Sequence, residues 1–150
     1  QAAAARTFPR QRQVTGVLVD TGFLVSLFRP ADRLRVQARE CLRTNRHRLL
    51  TVAPVIVETC FFLDATGKGR LLEWAQRGAL AVADVPVGAY IEIGTIVRKY
   101  ADRNIDFADA ALVWLANHTG MRDILTVDEA DFSVYRLKGG KRFALVQWFE

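Results

Sequence analysis

Short apolar runs that stop on a polar residue alternate along this chain with longer stretches whose apolar side chains recur every three or four positions. Val17-Leu18-Val19 is a β-branched run ending on Asp20, the pattern of a buried strand with a polar residue at its exit. Phe23, Leu24, Leu27 and Phe28 follow at helical spacing, and Pro30 closes that helix. Asp32 is placed to cap a helix over residues 33–45, with Leu34, Ala38, Cys41 and Leu42 among its apolar positions. Residues 49–53 read as a second strand. Pro54 suits the first turn of a helix that passes through Glu58 to about residue 65. Gly67-Lys68-Gly69 reads as a break, residues 70–77 as a further helix and residues 80–85 as a third strand. Pro86 opens a helix reaching about residue 101. Asp106 caps another over residues 107–118, which Gly120 ends. Residues 124–127 form a strand that stops on Asp128, and residues 143–149 form the last one. Strands separated by helices imply crossover connections and a mainly parallel sheet, hence an α/β fold.

The 150 residues suit one compact domain, and a 51% hydrophobic content supplies its core. Residues 1–13 combine an alanine run with Arg6, Arg10 and Arg12 and lack the apolar segment of a secretory signal. They read as a flexible basic arm, native or left from expression, outside a single domain at residues 14–150. No apolar run approaches the length of a membrane span. Cys41 and Cys60 lack metal-ligand spacing and read as reduced, packed thiols, in keeping with a cytoplasmic setting. The net charge of +5 and pI near 9.7 favour an acidic partner such as nucleic acid.

Ligands of open parallel sheets bind outside the carboxyl ends of the strands. Asp20 and Asp128 stand at such ends, although either could instead be a helix N-cap. Glu58 lies in an apolar segment, Val55 to Leu63, that reads as a buried helix; a glutamate there needs a partner, either an arginine or a shared cation. Asp106 and Asp109 fit the N-cap and third positions of one helix. Capping is the preferred reading for Asp106, while Asp109 can also point into a cleft. Clustered carboxylates repel one another unless a cation joins them, and magnesium and manganese prefer oxygen ligands. Such a site can activate water and neutralise a phosphodiester. Spacing alone permits the convergence of these acids without requiring it.

Seven arginines lie between Arg29 and Arg48, against only Asp32 and Glu40. Arg35, Arg39, Arg43 and Arg46 can share one helical face and contact RNA phosphates, or can simply be solvated. Arg136, Lys138, Lys141 and Arg142 form a second basic segment around a Gly139-Gly140 turn. His47 and His118 read as surface or capping residues. Trp74, Trp114, Trp148, Phe61, Phe62 and Phe132 read as core or interface residues.

Four blocks carry a family resemblance: Val17-Leu18-Val19-Asp20-Thr21-Gly22-Phe23-Leu24; Pro54-Val55-Ile56-Val57-Glu58; Arg98 to Asp102 with Ile105-Asp106-Phe107-Ala108-Asp109-Ala110-Ala111-Leu112; and Ile124-Leu125-Thr126-Val127-Asp128-Glu129-Ala130-Asp131-Phe132-Ser133-Val134-Tyr135-Arg136. In this order they resemble the PIN-domain family, and within it the VapC-type toxins of bacterial toxin–antitoxin pairs. The resemblance implies a three-layer α/β/α sandwich and an endoribonuclease dependent on Mg2+ or Mn2+. Its catalytic and metal-binding residues would correspond to Asp20, Glu58, Asp109 and Asp128, supported by Thr21, Thr126 and Asp131, the last as a secondary position or helix cap. It also implies an RNA substrate, a cognate antitoxin and a homodimer. Gly22 departs from the pattern, which commonly has a small hydroxyl or amide residue there.

Two other readings stay open at this point. A catalytically weak RNA-binding module on the same fold would bind RNA without metal-dependent cleavage. A phosphatase or phosphotransferase on another α/β fold would also place an aspartate after its first strand, but it usually adds a second nearby aspartate and a catalytic lysine.

Overall fold

The structure, a computed structural model, describes residues 16–150. The N-terminal arm expected at residues 1–13 lies outside the described residues. Five strands form one sheet: β1 (Gly16–Val19), β2 (Arg48–Val52), β3 (Leu80–Ala83), β4 (Asp123–Leu125) and β5 (Ala144–Leu145). Their order is β3-β2-β1-β4-β5 and every pairing is parallel, with Leu18 opposite both Leu50 and Ile124. Seven α-helices flank the sheet among the described residues: α1 (Thr21–Phe28), α2 (Arg35–Thr44), α3 (Ala53–Cys60), α4 (Ala65–Gln76), α5 (Tyr90–Lys99), α6 (Phe107–Thr119) and α7 (Glu129–Phe132).

The core explains which runs became strands. Val17, Leu18 and Val19 are buried on both faces, as a central parallel strand requires. Ala110, Ala111 and Leu112 of α6 are fully buried and let that helix lie close to β2. Phe23 of α1 meets the ring of Trp148 edge-on at 4.9 Å, and the Trp148 indole Nε1 donates to the Thr126 carbonyl at 3.1 Å. The last strand is therefore shorter than the expected 143–149. Past Leu145 only the Val146 N–H, among the described residues, still bonds to β4, at the Ile124 carbonyl (3.0 Å), and the Trp148 and Phe149 rings then meet edge-on at 4.8 Å.

Four other local expectations are corrected. Gly67-Lys68-Gly69 is no break but lies within α4, whose N-cap Asp64 accepts from the Gly67 N–H at 2.8 Å. A Cβ at Gly67 would lie 3.0 Å from the Phe28 carbonyl oxygen, so glycine there serves close packing of α4 against the end of α1. The break falls instead at residues 61–64. Helix α3 is not buried all round: Val57 is 59% exposed, and Phe61 (82%) and Phe62 (52%) lie outside the core, whereas Phe132 is fully buried as expected. Asp32 accepts from the Leu34 N–H in the turn before α2, while the cap position belongs to Leu34. The helix expected from Pro86 begins as a short 3-10 turn, Val87–Ala89, before α5.

Strand order reverses between β1 and β4. The chain moves outward from β1 to β2 and β3, then crosses back to β4 on the other side of β1. Such a switch point opens a crevice at the carboxyl ends of the two strands. The Asp20 N–H donates to the Leu125 carbonyl at 3.0 Å, which holds the two strand exits side by side.

Candidate active site

Each acid is positioned by a local rule. Asp20 ends β1 and caps α1, with Oδ1 accepting from the Thr21 N–H at 2.7 Å. Its Oδ2 accepts from the Thr126 hydroxyl at 2.8 Å, and that hydroxyl accepts in turn from the Asp128 N–H at 2.9 Å. One threonine thus ties the acid after β1 to the backbone of the acid after β4. Asp106 caps α6 by accepting from the Asp109 N–H at 2.8 Å, and Asp109 follows in the first turn. Asp109 Oδ2 accepts from the Tyr135 hydroxyl at 2.9 Å. Asp128 caps α7 through the Asp131 N–H. Asp131 is therefore not a helix cap; its Oδ1 accepts from Arg103 at 2.7 Å. Glu58 projects from the half-exposed α3 without an arginine partner among the described residues.

Asp20, Glu58, Asp109, Asp128 and Asp131 line one open cavity of about 440 Å³, together with Asp106. Thr21 lines it too, and its buried hydroxyl faces Glu58, whose charge it favours, without a close hydrogen bond. Carboxylate oxygens of Asp109, Asp128 and Asp131 lie within 4.8 Å of one another. Burial pushes the Asp20 carboxyl up to about 7, despite the Thr126 and Thr21 bonds that favour its charge; Glu58 and Asp106 add repulsion. Asp109 rises to about 8, first through burial and then through the charges of Asp20 and Asp106. Glu58 is raised by burial and by Asp106, and Asp128 by burial foremost. These are the properties of a site with surplus negative charge, and its all-oxygen donor set fits Mg2+ or Mn2+.

A family model for the PIN domain matches residues 17–137, a span that contains all of these acids. The chain belongs to the PIN-domain family. Ribonuclease VapC26 of Mycobacterium tuberculosis (strain ATCC 25618 / H37Rv) is 33% identical to it over 135 residues, covering 87% of this chain and 99% of that protein. The crystal structure of Mycobacterium tuberculosis VapC20, a sarcin–ricin loop cleaving toxin, shares the fold with a TM-score of 0.62. That match is 18% identical and covers 72% of this chain and 86% of the other. Membership of the PIN family removes the reading of a phosphatase on another fold.

Several features of this PIN-domain cleft were not singled out from the sequence. Asp106 is a cap, as expected, but it also lines the cavity, as does Asp32. The spacing of three between Asp106 and Asp109 carried that signal, because both sit at one helix end. Tyr135 lies in the fourth matching block but drew no role from the sequence, being brought to Asp109 only by the turn after α7. Of the expected RNA-binding face, Arg35 donates to the Leu27 carbonyl at 3.1 Å and Arg43 pairs with Glu40. Arg39 and Arg46 are exposed, and none of the four lines the cavity. The arginines on its rim are Arg29 and Arg33. Gly22 has a packing reason, since a Cβ there would lie 2.1 Å from a methyl of Val127. Among the described residues no helix is long and apolar enough to cross a membrane.

Proposed function

We propose that this PIN-domain protein is a metal-dependent endoribonuclease, the toxin of a type II toxin–antitoxin pair, which hydrolyses RNA phosphodiesters in the cytoplasm. The observation that carries the reading is the convergence of Asp20, Glu58, Asp109 and Asp128 on one cavity at the sheet's switch point. The ribonuclease relative that spans nearly its whole length supports the same chemistry. A cognate antitoxin and a homodimer complete the reading by analogy with such toxins.

In this reading the four carboxylates would hold the cation; Asp109 and Asp128 offer oxygens close to one of Asp131, while Asp20 and Glu58 stand outside that close group on the same cavity. A bound Mg2+ or Mn2+ supplies positive charge against the phosphodiester and lowers the pKa of water. Thr126 fixes both strand-end acids through one hydroxyl, and Tyr135 fixes Asp109. Such outer contacts orient ligand oxygens before a cation or substrate arrives. The acids lie at and beyond the strand ends, with Asp20 buried at the floor of the cavity and Glu58, Asp109 and Asp128 more open above it.

The test is replacement of Asp20 or Asp109 by alanine, with RNA cleavage measured with and without Mn2+ and growth scored on expression. Both variants should lose cleavage and toxicity while remaining folded. Persistent cleavage in two folded variants would overturn the mechanism. Metal-insensitive RNA binding without cleavage in the wild type would favour the catalytically weak module.

A further inference from the structure

The acidic floor does not account for the walls of the cavity. Phe62 stands on its edge 52% exposed, and Val127 stands on it 39% exposed. The turn after α3 buries Leu63 and leaves Phe62 half exposed on the cavity, next to the more exposed Phe61. On the rim, Arg29 and Arg33 are exposed and form no ion pair among the described residues; Asp32 between them also lines the cavity, with its Oδ1 accepting from the Leu34 N–H. Other arginines, such as Arg39, Arg46 and Arg70, also lack a carboxylate partner among the described residues; Arg29 and Arg33 differ from them in lining the cavity.

We propose that Phe62 with Val127, and Arg29 with Arg33, form a nucleotide subsite beside the acids: an unstacked RNA base lies on Phe62 while neighbouring phosphates bind the two arginines. This rests on the ribonuclease reading and deepens it. A small anion would use the guanidiniums but not the ring, and a cation would use neither. A flexible single strand uses both, because every base has a face to stack and every linkage a charge to neutralise. A base inside a duplex cannot turn onto the ring, so the subsite selects loops and single strands. Arginine suits the rim because its planar fork binds phosphate through two hydrogen bonds.

The test uses a short RNA hairpin with 2-aminopurine in its loop, and the same strand annealed to its complement. Binding is read by fluorescence quenching in the non-cleaving Asp20→Asn background, and cleavage in the otherwise wild-type chain with Mn2+. Phe62→Ala should lower kcat/KM for the hairpin about tenfold, consistent with the loss of one stacked base, and abolish the quenching. Phe62→Tyr should restore both. Arg29→Gln with Arg33→Gln should weaken binding and flatten its log–log salt dependence by about 0.7 for each lost phosphate contact. The duplex should show little quenching in any variant. Phe62 is half exposed, so a thermal melt should match the wild type.

If Phe62→Ala binds and cuts the hairpin as the wild type does while Asp20→Asn is inactive, the subsite falls and the nuclease reading stands. If the wild type quenches but does not cut, the nuclease reading falls and the subsite stands. Unchanged RNA binding by Phe62→Ala, with loss of a co-expressed antitoxin, would assign the ring to a protein partner and overturn the proposal.

Discussion

The Tyr135 hydroxyl donates to Asp109 Oδ2 at 2.9 Å, from a residue 26 positions further along the chain. Tyr135 is only 1% exposed, and its ring is clamped edge-on by Tyr100 and Phe132. Tyr100 is itself fixed, its hydroxyl oxygen accepting from the Arg136 N–H at 2.7 Å. Burial and the Asp109 charge push the Tyr135 phenol up, so it remains a donor across the physiological range.

Tyr135→Phe keeps the ring packing and removes that one donor. Outer-shell partners of this kind are worth about 10–100-fold in metal affinity. Mn2+ titration by calorimetry should show a loss of that order, with little change in melting temperature. Unchanged Mn2+ affinity would reduce the bond to a structural detail.

The metal-free protein should lose stability as pH rises. Asp20 and Asp109, at about 7 and about 8, bind protons in the folded state that the unfolded chain has already released. Their contribution is fully present near pH 4 and disappears as pH climbs through 7 and 8. Melting temperature in a chelator should therefore fall between pH 5 and 8, by about 2–4 °C per kcal/mol at this chain length. Added Mn2+ should reverse the fall at pH 8, where the acids are free to bind it. A flat profile would mean that the acids are less buried and less crowded than their positions imply.

Asp109→Asn removes charge but keeps an oxygen that can accept from Tyr135. It should abolish cleavage and raise the chelator-phase melting temperature at pH 8. A site that repels itself is a stability cost that function requires. A lower melting temperature would contradict this.

Asp106 has two separable roles. Asp106→Ala should cost about 0.5–2 kcal/mol through loss of the α6 cap. Asp106→Asn caps as well as aspartate and should restore stability to denaturant, yet leave Mn2+ affinity below wild type, because the Asp106 charge acts on the cavity acids.

Gly22→Ala should destabilise by about 1–3 kcal/mol, because the new methyl meets Val127 at 2.1 Å. Val127→Ala should rescue it in a double-mutant cycle. Independent, additive effects in urea denaturation would refute this coupling.

Much of this was legible from the chain because the rules involved act within a turn or along a strand. Val17–Val19 ending on Asp20, Asp106 capping α6 and Gly120 stopping it at φ 74° follow from burial, capping and the left-handed freedom of glycine. Strand–helix alternation likewise determined a parallel sheet, because parallel neighbours need crossovers. Other features depend on partners distant in sequence. The bond from Thr126 to Asp20 spans 106 residues and exists only because β4 pairs with β1. The approach of α4 to Phe28 decided that Gly67 packs rather than breaks a helix, and the turn after α3 decided that Phe61 and Phe62 face outward. The sequence by itself determined the acids and the elements that carry them. Only the tertiary structure decided that Asp131 pairs with Arg103, that Tyr135 holds Asp109, and that Arg29 and Arg33 rather than the α2 face meet the cleft, because parallel register and helix packing set those distances.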